Sequence, residues 1–211
     1  MKTENRKKEL IKIAYNLFIT KGYENTSVDE IIATANIAKG TYYYHFESKE
    51  QILEAVINMM IDDSVKKAEK IVESDLELEE KLVYTILSLR VTPEEQSVED
   101  TINSKENIIL HKKVNERIID EAIPLLSKIV REAKRKGIFK CDDNIEERVR
   151  MTLILSTEMF DHNKVKNSDI IVFIDTLEKI YGANPGSLSF ISKLIKENKY
   201  VKKNNKCQKL S

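Results

Sequence analysis

The stretch "AKGTYYYHFESKEQIL", residues 38–53, places three consecutive tyrosines, a histidine and a phenylalanine directly ahead of a long apolar pattern. Tyr42 and Phe46 are four residues apart, so on a helix both side chains lie on one face, which we expect to be buried. The other side chains then lie around the outside of a short helix. Exposed rings and hydroxyls suit the DNA major groove, which offers hydrogen-bond acceptors and the thymine methyl group. The stretch predicts a DNA-reading helix.

The residues before and after this stretch predict the helices that would support it. Apolar residues at i, i+3, i+4, i+7 and i+8 indicate a first helix, which ends at Gly22. Ser27 with Glu30, and Ser48 with Gln51, have the spacing of capping boxes and open a second and a fourth helix. Two short helices joined by a turn of about four residues, behind a first helix, form a helix-turn-helix arrangement. The periodic residues of the first helix are Leu10, Ile13, Ala14, Leu17 and Phe18.

Composition favours helices throughout the chain. The 211 residues include only five glycines and three prolines, and 33% of them are charged. Apolar periodicity predicts further helices near residues 76–90, 106–136, 143–162 and 168–182, and Pro124 should kink or restart the second of these. We therefore predict an all-α fold: a helix-turn-helix domain followed by a C-terminal helical domain.

Charge is balanced overall and uneven locally. The chain has 35 basic and 35 acidic residues, and residues 1–50 hold eight basic against seven acidic ones. DNA affinity should therefore depend on the placement of individual contacts more than on bulk charge. Residues 193–211 hold seven lysines and one acid, which favours a solvated or flexible tail; a supplementary DNA contact is the alternative.

Several functional classes lack support in the sequence. It has no phosphate-binding glycine loop, no H-E-x-x-H and no C-x-x-C, so we expect no enzyme activity and no cofactor. His111 and His162 lack partners at metal-ligand spacing, so we expect no metal. Cys141 and Cys207 should be free thiols. Without a secretory signal or a bilayer-spanning apolar run, we expect a soluble cytoplasmic protein with no membrane partner.

The segment "LFITKGYENTSVDEIIATANIAKGTYYYHFESKEQIL" resembles the N-terminal domain of the tetracycline-repressor (TetR) family, over roughly residues 10–53. The resemblance implies a three-helix DNA-binding domain, a fourth helix that links it to an effector-binding domain, and a homodimer. Ile37 and Ala38 stand where many members have serine or threonine, and Tyr42 stands where leucine is frequent. The family's DNA-contacting positions correspond here to Thr26, Ser27, Lys39, Gly40, Thr41, Tyr43, Tyr44, His45 and Lys49.

Beyond residue 53 the resemblance is weaker, and the sequence gives only candidates. Dimers of the family usually form from the last two long helices, here about 143–162 and 168–182, and the second is apolar on several sides. A pocket should lie among the fourth to eighth helices, although methionines and aromatic residues at helical spacing are frequently core residues instead. Glu158 could meet a cationic ligand or pair across the dimer. The candidate ligand-binding residues are Met59, Tyr84, His111, Met151, Glu158 and Met159.

These observations predict residues 1–48 as the DNA-binding domain, 49–198 as the effector-binding and dimerisation domain, and 199–211 as the basic tail. The predicted function is that of a ligand-responsive transcriptional regulator, a repressor in preference to an activator. Its partners would be double-stranded operator DNA, a small-molecule effector and a second copy of the chain. The alternative is a helical adaptor that binds a protein instead of DNA.

Overall fold

The computed structural model describes residues 2–104, 107–160 and 166–193. These residues contain helices and no strand, which confirms the all-α prediction. A short 3-10 helix, Pro93–Glu95, precedes α6. The helices are α1 (Lys2–Lys21), α2 (Val28–Thr34), α3 (Lys39–His45), α4 (Lys49–Val72), α5 (Leu78–Ser88), α6 (Gln96–Ile102), α7 (Ile108–Arg135), α8 (Ile145–Phe160) and α9 (Asn167–Tyr181).

The predicted helix ends of the N-terminal part are confirmed. Gly22 follows α1 with φ of 86°, a left-handed conformation that favours glycine. The Ser27 hydroxyl accepts the Glu30 amide at 3.1 Å and caps α2. The Ser48 hydroxyl accepts the Gln51 amide at 3.2 Å ahead of α4. Both predicted serine caps therefore satisfy backbone donors that the helix itself leaves free.

The chain divides into two compact units, and the first comprises Met1–Lys66 and Arg90–Ile118. Its core joins α1 to α4 with α6, since Val98 and Ile102 of α6 are buried in the same cluster as Leu10 and Phe18. The Ser97 hydroxyl donates to the carbonyl of Phe18 at 2.9 Å. Helix α6 is therefore part of the unit that contains the helix-turn-helix segment. The boundary at residue 48 between the DNA-binding and effector-binding domains remains a prediction. The compact units divide the chain at other positions, after Lys66, Leu89 and Ile118.

The second unit comprises Lys67–Leu89 and Ile119–Ser211. Its described core surrounds the C-terminal half of α7, where Ala122, Leu126, Ile129 and Ala133 are among the buried residues. Helix α7 continues through Pro124, so the helix does not restart there. A partly buried ion pair joins Lys81 of α5 to Glu132 of α7 at 3.1 Å.

Helices α8 and α9 pack against each other within the second unit. The rings of Phe160 and Phe173 meet edge to face with centroids 4.9 Å apart. The hydroxyls of Thr152 and Tyr181 lie 3.0 Å apart, and Arg148 donates to the carbonyl of Ile180 at 2.6 Å. Aromatic contact and hydrogen bonds therefore fix the two helices along most of their length.

Gly182 ends α9 in a left-handed conformation, with φ of 61°. A Cβ atom at this position would lie 3.1 Å from the carbonyl carbon of Lys140. The approach is close because the Lys140 amide donates to the carbonyl of Tyr181 at 3.0 Å. Glycine at this position therefore serves both the helix end and the packing of the 140–141 backbone.

Gly182→Ala is expected to lower the free energy of unfolding by about 2–3 kcal/mol, through left-handed strain and the contact with Lys140. Gly186→Ala is the matched control, because Gly186 has φ of 84° but no atom within 4 Å of its Cβ position. We expect the control to lose only about 1 kcal/mol. Chemical denaturation measures both, and equal losses would contradict a role for the Lys140 contact.

Other sequence-based expectations concern thiols, metals and membranes. Cys141 is a buried free thiol, whereas Cys207 and the predicted basic tail lie outside the described residues. Within residues 2–104, 107–160 and 166–193, no group of three or more His, Cys, Asp or Glu side chains could hold a metal ion. None of the helices formed by these residues is long and apolar enough to cross a membrane.

Candidate nucleic-acid interface

Helix α3 has one buried and one exposed face, as predicted. Tyr42 is fully buried and Phe46 nearly so, and both belong to the core of the first unit. Their ring centroids lie 5.9 Å apart. The turn Ala35–Ala38 connects α2 to α3, and Asn36 within it has φ of 50°. Helices α2 and α3 therefore pack on the core of the first unit and form a helix-turn-helix.

The outer face of α3 carries the predicted contact residues. Tyr43 is 47% exposed and Tyr44 is 75% exposed, while Thr41 and His45 are half-buried. The Tyr43 ring packs edge to face on Tyr42, with centroids 5.3 Å apart. The Tyr44 and His45 rings pair in the same way at 5.0 Å. These contacts hold polar aromatic side chains at the surface in defined positions.

Gly40 lies on this outer face in the first turn of α3. It is exposed, its φ is not positive, and no heavy atom of the described chain lies within 4 Å of its Cβ position. Neither backbone conformation nor packing inside the chain therefore requires glycine here. Its lack of a side chain leaves the helix backbone accessible to a surface outside the chain.

The start of α2 presents one predicted residue and buries the other. Ser27 is exposed, and its hydroxyl accepts the Glu30 amide. Thr26 is only 1% exposed, and its hydroxyl donates to the carbonyl of Gly22 at 2.9 Å. Thr26 thus fixes the approach to α2 from inside, and we remove its side chain from the proposed contact set.

The two predicted lysines have different surroundings. Lys39 is exposed and pairs with Asp29 at 3.3 Å, an ion pair that is weak because both side chains are solvated. Lys49 is half-buried, with its ammonium 4.0 Å from the centroid of the Tyr23 ring. A hydrogen bond from Ser48, and further hydrogen bonds, lower the pKa of the neighbouring Glu50 carboxyl. Glu50 is therefore an anion beside Lys49 at neutral pH.

The six candidate ligand-binding residues are divided between the two compact units. Met59 and His111 belong to the first unit, and Tyr84, Met151, Glu158 and Met159 belong to the second. Met151 and Glu158 are exposed on one face of α8, whereas Tyr84 and Met159 are half-buried. Only Tyr84 and Met159 therefore combine partial burial with a place in the second unit.

The second unit contains two open cavities. One, of about 900 Å³, follows the exposed side of α7 and includes Lys128, Arg131 and Arg135. The other, of about 470 Å³, lies beside α9 and includes Ile171, Asp175 and the buried Glu178. The Glu178 carboxylate accepts the Leu188 amide at 3.0 Å. None of the six candidates lines either cavity within the described part of the chain.

Two features of the site were not predicted from the sequence. The ring of Tyr23 lies under the Lys49 ammonium and also packs on the Phe18 ring, at a centroid separation of 5.2 Å. Helix α6 joins the core of the first unit through Val98 and Ile102. Val98 and Ile102 are four residues apart, which indicates a buried helix face, but the segment around them is polar and the pattern is therefore weak.

The curated proteins to which this chain is similar are named HTH-type transcriptional regulators. The family model "Bacterial regulatory proteins, tetR family" matches residues 10–56. The chain is 23% identical over 164 residues to the Bacillus subtilis (strain 168) uncharacterized HTH-type transcriptional regulator YhgD, covering 76% of this chain and 85% of YhgD. It is 38% identical over 72 residues to the Rhodococcus jostii (strain RHA1) HTH-type transcriptional repressor KstR2, covering 34% of this chain and 35% of KstR2.

The fold is also found among solved structures. The crystal structure of RolR in complex with resorcinol has a TM-score of 0.58 and 18% sequence identity, and the match covers 90% of this chain and 94% of RolR. At this identity the likeness concerns the fold.

The helix-turn-helix with its exposed aromatic face defines a DNA-binding domain of a transcriptional regulator. The resemblance predicted from the sequence is confirmed, since residues 10–56 match the model of the TetR family.

Proposed function

We propose that this protein is a transcriptional repressor that binds its operator as a homodimer and is released when a small molecule binds to the C-terminal domain. The observation that carries the proposal is the outer face of α3, where Gly40, Tyr43 and Tyr44 are exposed above a buried Tyr42. Helix α3 would lie in the major groove, with the tyrosine rings and hydroxyls against base edges. Lys39, Ser27 and Lys49 would contact phosphates.

The adaptor alternative is disfavoured by the character of this face. Tyrosines are also frequent at the centres of protein–protein interfaces, but those centres contain few charged residues such as lysine. The exposed α3 residues are a lysine, a glycine and two tyrosines. The relatives reported above are named transcriptional regulators, which favours DNA as the partner and argues against a catalytic role.

The proposed dimer rests on the exposed apolar side chains of α8 and α9. Met151 and Ile154 of α8 are exposed, as are Ile171 and Val172 of α9. Clusters of exposed large apolar residues mark interaction sites, and a surface on both copies of a chain can pair with itself about a twofold axis. We therefore assign these two faces to the homodimer and place Met151 and Glu158 there instead of in the effector pocket.

The proposed regulation couples two sites. A ligand that binds the second unit would favour a conformation in which the two α3 helices no longer have the separation of about 34–36 Å between successive major grooves. The complex of RolR with resorcinol supports a small organic effector, since RolR has the same fold and its structure contains such a ligand. Tyr84 and Met159 remain the candidate pocket residues.

The proposal is tested by binding purified protein to the DNA immediately upstream of its own coding region, at two salt concentrations, beside a shuffled duplex of equal composition. We expect preference for the upstream DNA of at least a thousandfold, with affinity that falls as salt rises. Equal affinity for both duplexes, or no binding by folded protein, would contradict the proposed function.

A small-molecule screen in the same assay, with resorcinol among the compounds, tests the effector. We expect a releasing compound also to raise the melting temperature of the free protein, because a ligand that binds the folded state stabilises it. A compound that releases DNA without binding to the protein would not support the proposed coupling.

A further inference from the structure

We propose that Tyr23 and Tyr42 are positioning residues that hold Lys49 ready for a DNA phosphate. The inference rests on the proposed function and adds a role for two buried tyrosines outside the exposed α3 face. Neither residue would touch DNA. Their effect would be to fix the ammonium at the start of α4 before DNA arrives, in the same rigid frame as α3.

The first step is the contact between Tyr23 and Lys49. The Lys49 ammonium lies 4.0 Å from the centroid of the Tyr23 ring, a distance at which the ring face attracts a cation. The ring is nearly buried, so it is a fixed surface under a side chain that would otherwise sample many rotamers. Among the described residues, Lys49 forms no ion pair with a carboxylate, in contrast to Lys39 with Asp29.

The second step is the anchoring of the Tyr23 ring itself. It packs edge to face on Phe18, with centroids 5.2 Å apart and planes at 72°. Its hydroxyl donates to the Glu50 carboxylate at 3.4 Å, a long hydrogen bond. Burial, followed by the Glu50 charge, raises the pKa of the Tyr23 phenol, so the hydroxyl keeps its proton as a donor. The ring is therefore held at both ends.

A hydrogen bond from Tyr42 also fixes the backbone next to Lys49. The Tyr42 hydroxyl donates to the carbonyl of Ser48 at 3.2 Å, which ties the middle of α3 to the residue directly before α4. Tyr42 is fully buried, and burial raises the pKa of its phenol to about 12. A leucine at this position would fill the core but could not make this bond. The hydroxyl thus couples the position of Lys49 to that of the exposed α3 face.

The test compares the salt dependence of binding to the upstream DNA for wild type, Lys49→Gln, Tyr23→Phe and Tyr23→Leu. Each phosphate contact contributes about 0.9 to the slope of log affinity against log salt, so losing Lys49 from both protomers should lower the slope by about 1.8. We expect Tyr23→Leu to lower it similarly, and Tyr23→Phe, which keeps the ring but loses the hydrogen bond to Glu50, to lower it by less. In the double variant Tyr23→Leu with Lys49→Gln, the slope should fall no further.

Tyr42→Phe tests the backbone anchor, since it keeps the ring and removes only the hydroxyl. Because Lys49 would contact a phosphate and not a base, we expect the variant to lose about tenfold in affinity for upstream and shuffled DNA alike, and to lower the slope of log affinity against log salt. An unchanged salt slope in the folded variant would show a merely structural role and would overturn this part of the proposal.

A measurement on free wild-type protein needs no variant. The ring current of Tyr23 should shift the Lys49 ε-proton resonances upfield, relative to those of Lys39. Unshifted Lys49 protons, or a Tyr23→Leu slope equal to that of wild type, would overturn the positioning role. If wild type failed to prefer the upstream DNA, the proposed function would fail while the ring-current result still decided the Tyr23–Lys49 contact.

Discussion

Replacing Tyr43 with alanine is expected to weaken sequence-specific DNA binding strongly and to leave the fold and the proposed dimer intact. The side chain is 47% exposed on α3, so its truncation opens no large cavity. A lost base contact costs about 1–3 kcal/mol, and a homodimer loses two, for a total of roughly 2–6 kcal/mol. Affinity for the upstream duplex should therefore fall by about thirtyfold or more, while affinity for shuffled DNA changes little.

The matched control is Ile109→Ala. Ile109 is 76% exposed in the same compact unit but lies on α7, outside the helix-turn-helix segment. We expect this control to bind the upstream duplex as wild type does. Circular dichroism and sedimentation establish that both variants are folded and dimeric. Wild-type discrimination by folded Tyr43→Ala protein would exclude Tyr43 from base reading.

Ile171→Asp is expected to have a comparably large effect, through the dimer. Ile171 is 67% exposed on α9, next to the exposed Val172, and the proposal places both against a second copy. In a twofold interface the substitution places two carboxylates in an apolar contact, where an unpaired charge is strongly disfavoured. We expect the dimer dissociation constant to rise at least a hundredfold, about 2.7 kcal/mol, and DNA binding to weaken with it.

Ile109→Asp is the control for this change, because it converts an exposed isoleucine to aspartate on a helix outside the proposed interface. Sedimentation velocity at several concentrations measures both dissociation constants. If the Ile171→Asp protein remained dimeric at the concentrations at which wild type is dimeric, the assignment of the α9 face to the homodimer would be wrong.

The fold and the α3 face could be predicted from sequence because both depend on local rules. Helical periodicity placed Tyr42 and Phe46 inside, and serine caps placed the starts of α2 and α4. The contribution of α6 to the first core could not be predicted in this way. It depends on which helices meet in space, and Val98 and Ile102 lie more than 75 residues beyond Phe18 in the chain.

The surroundings of individual side chains were harder still to predict. Thr26 is a hydroxyl residue near the start of α2, where the sequence predicts a DNA contact. Its hydroxyl instead donates to the carbonyl of Gly22. The helical spacing of methionine and tyrosine does not show whether a residue lies on the outer face of a helix or lines a pocket, because both surfaces are partly apolar. Met151 and Glu158 lie on that outer face, so burial in three dimensions separates them from Tyr84 and Met159.

The most direct test of the central claim is a methylation-protection footprint of purified protein on the DNA upstream of its own coding region. We expect two protected major-groove segments, related by twofold symmetry and centred one helical turn, about 10–10.5 base pairs, or a whole number of turns apart. Both segments should disappear for Tyr43→Ala. Protection confined to the minor groove, or none with folded dimeric protein, would contradict the placement of α3 in the major groove.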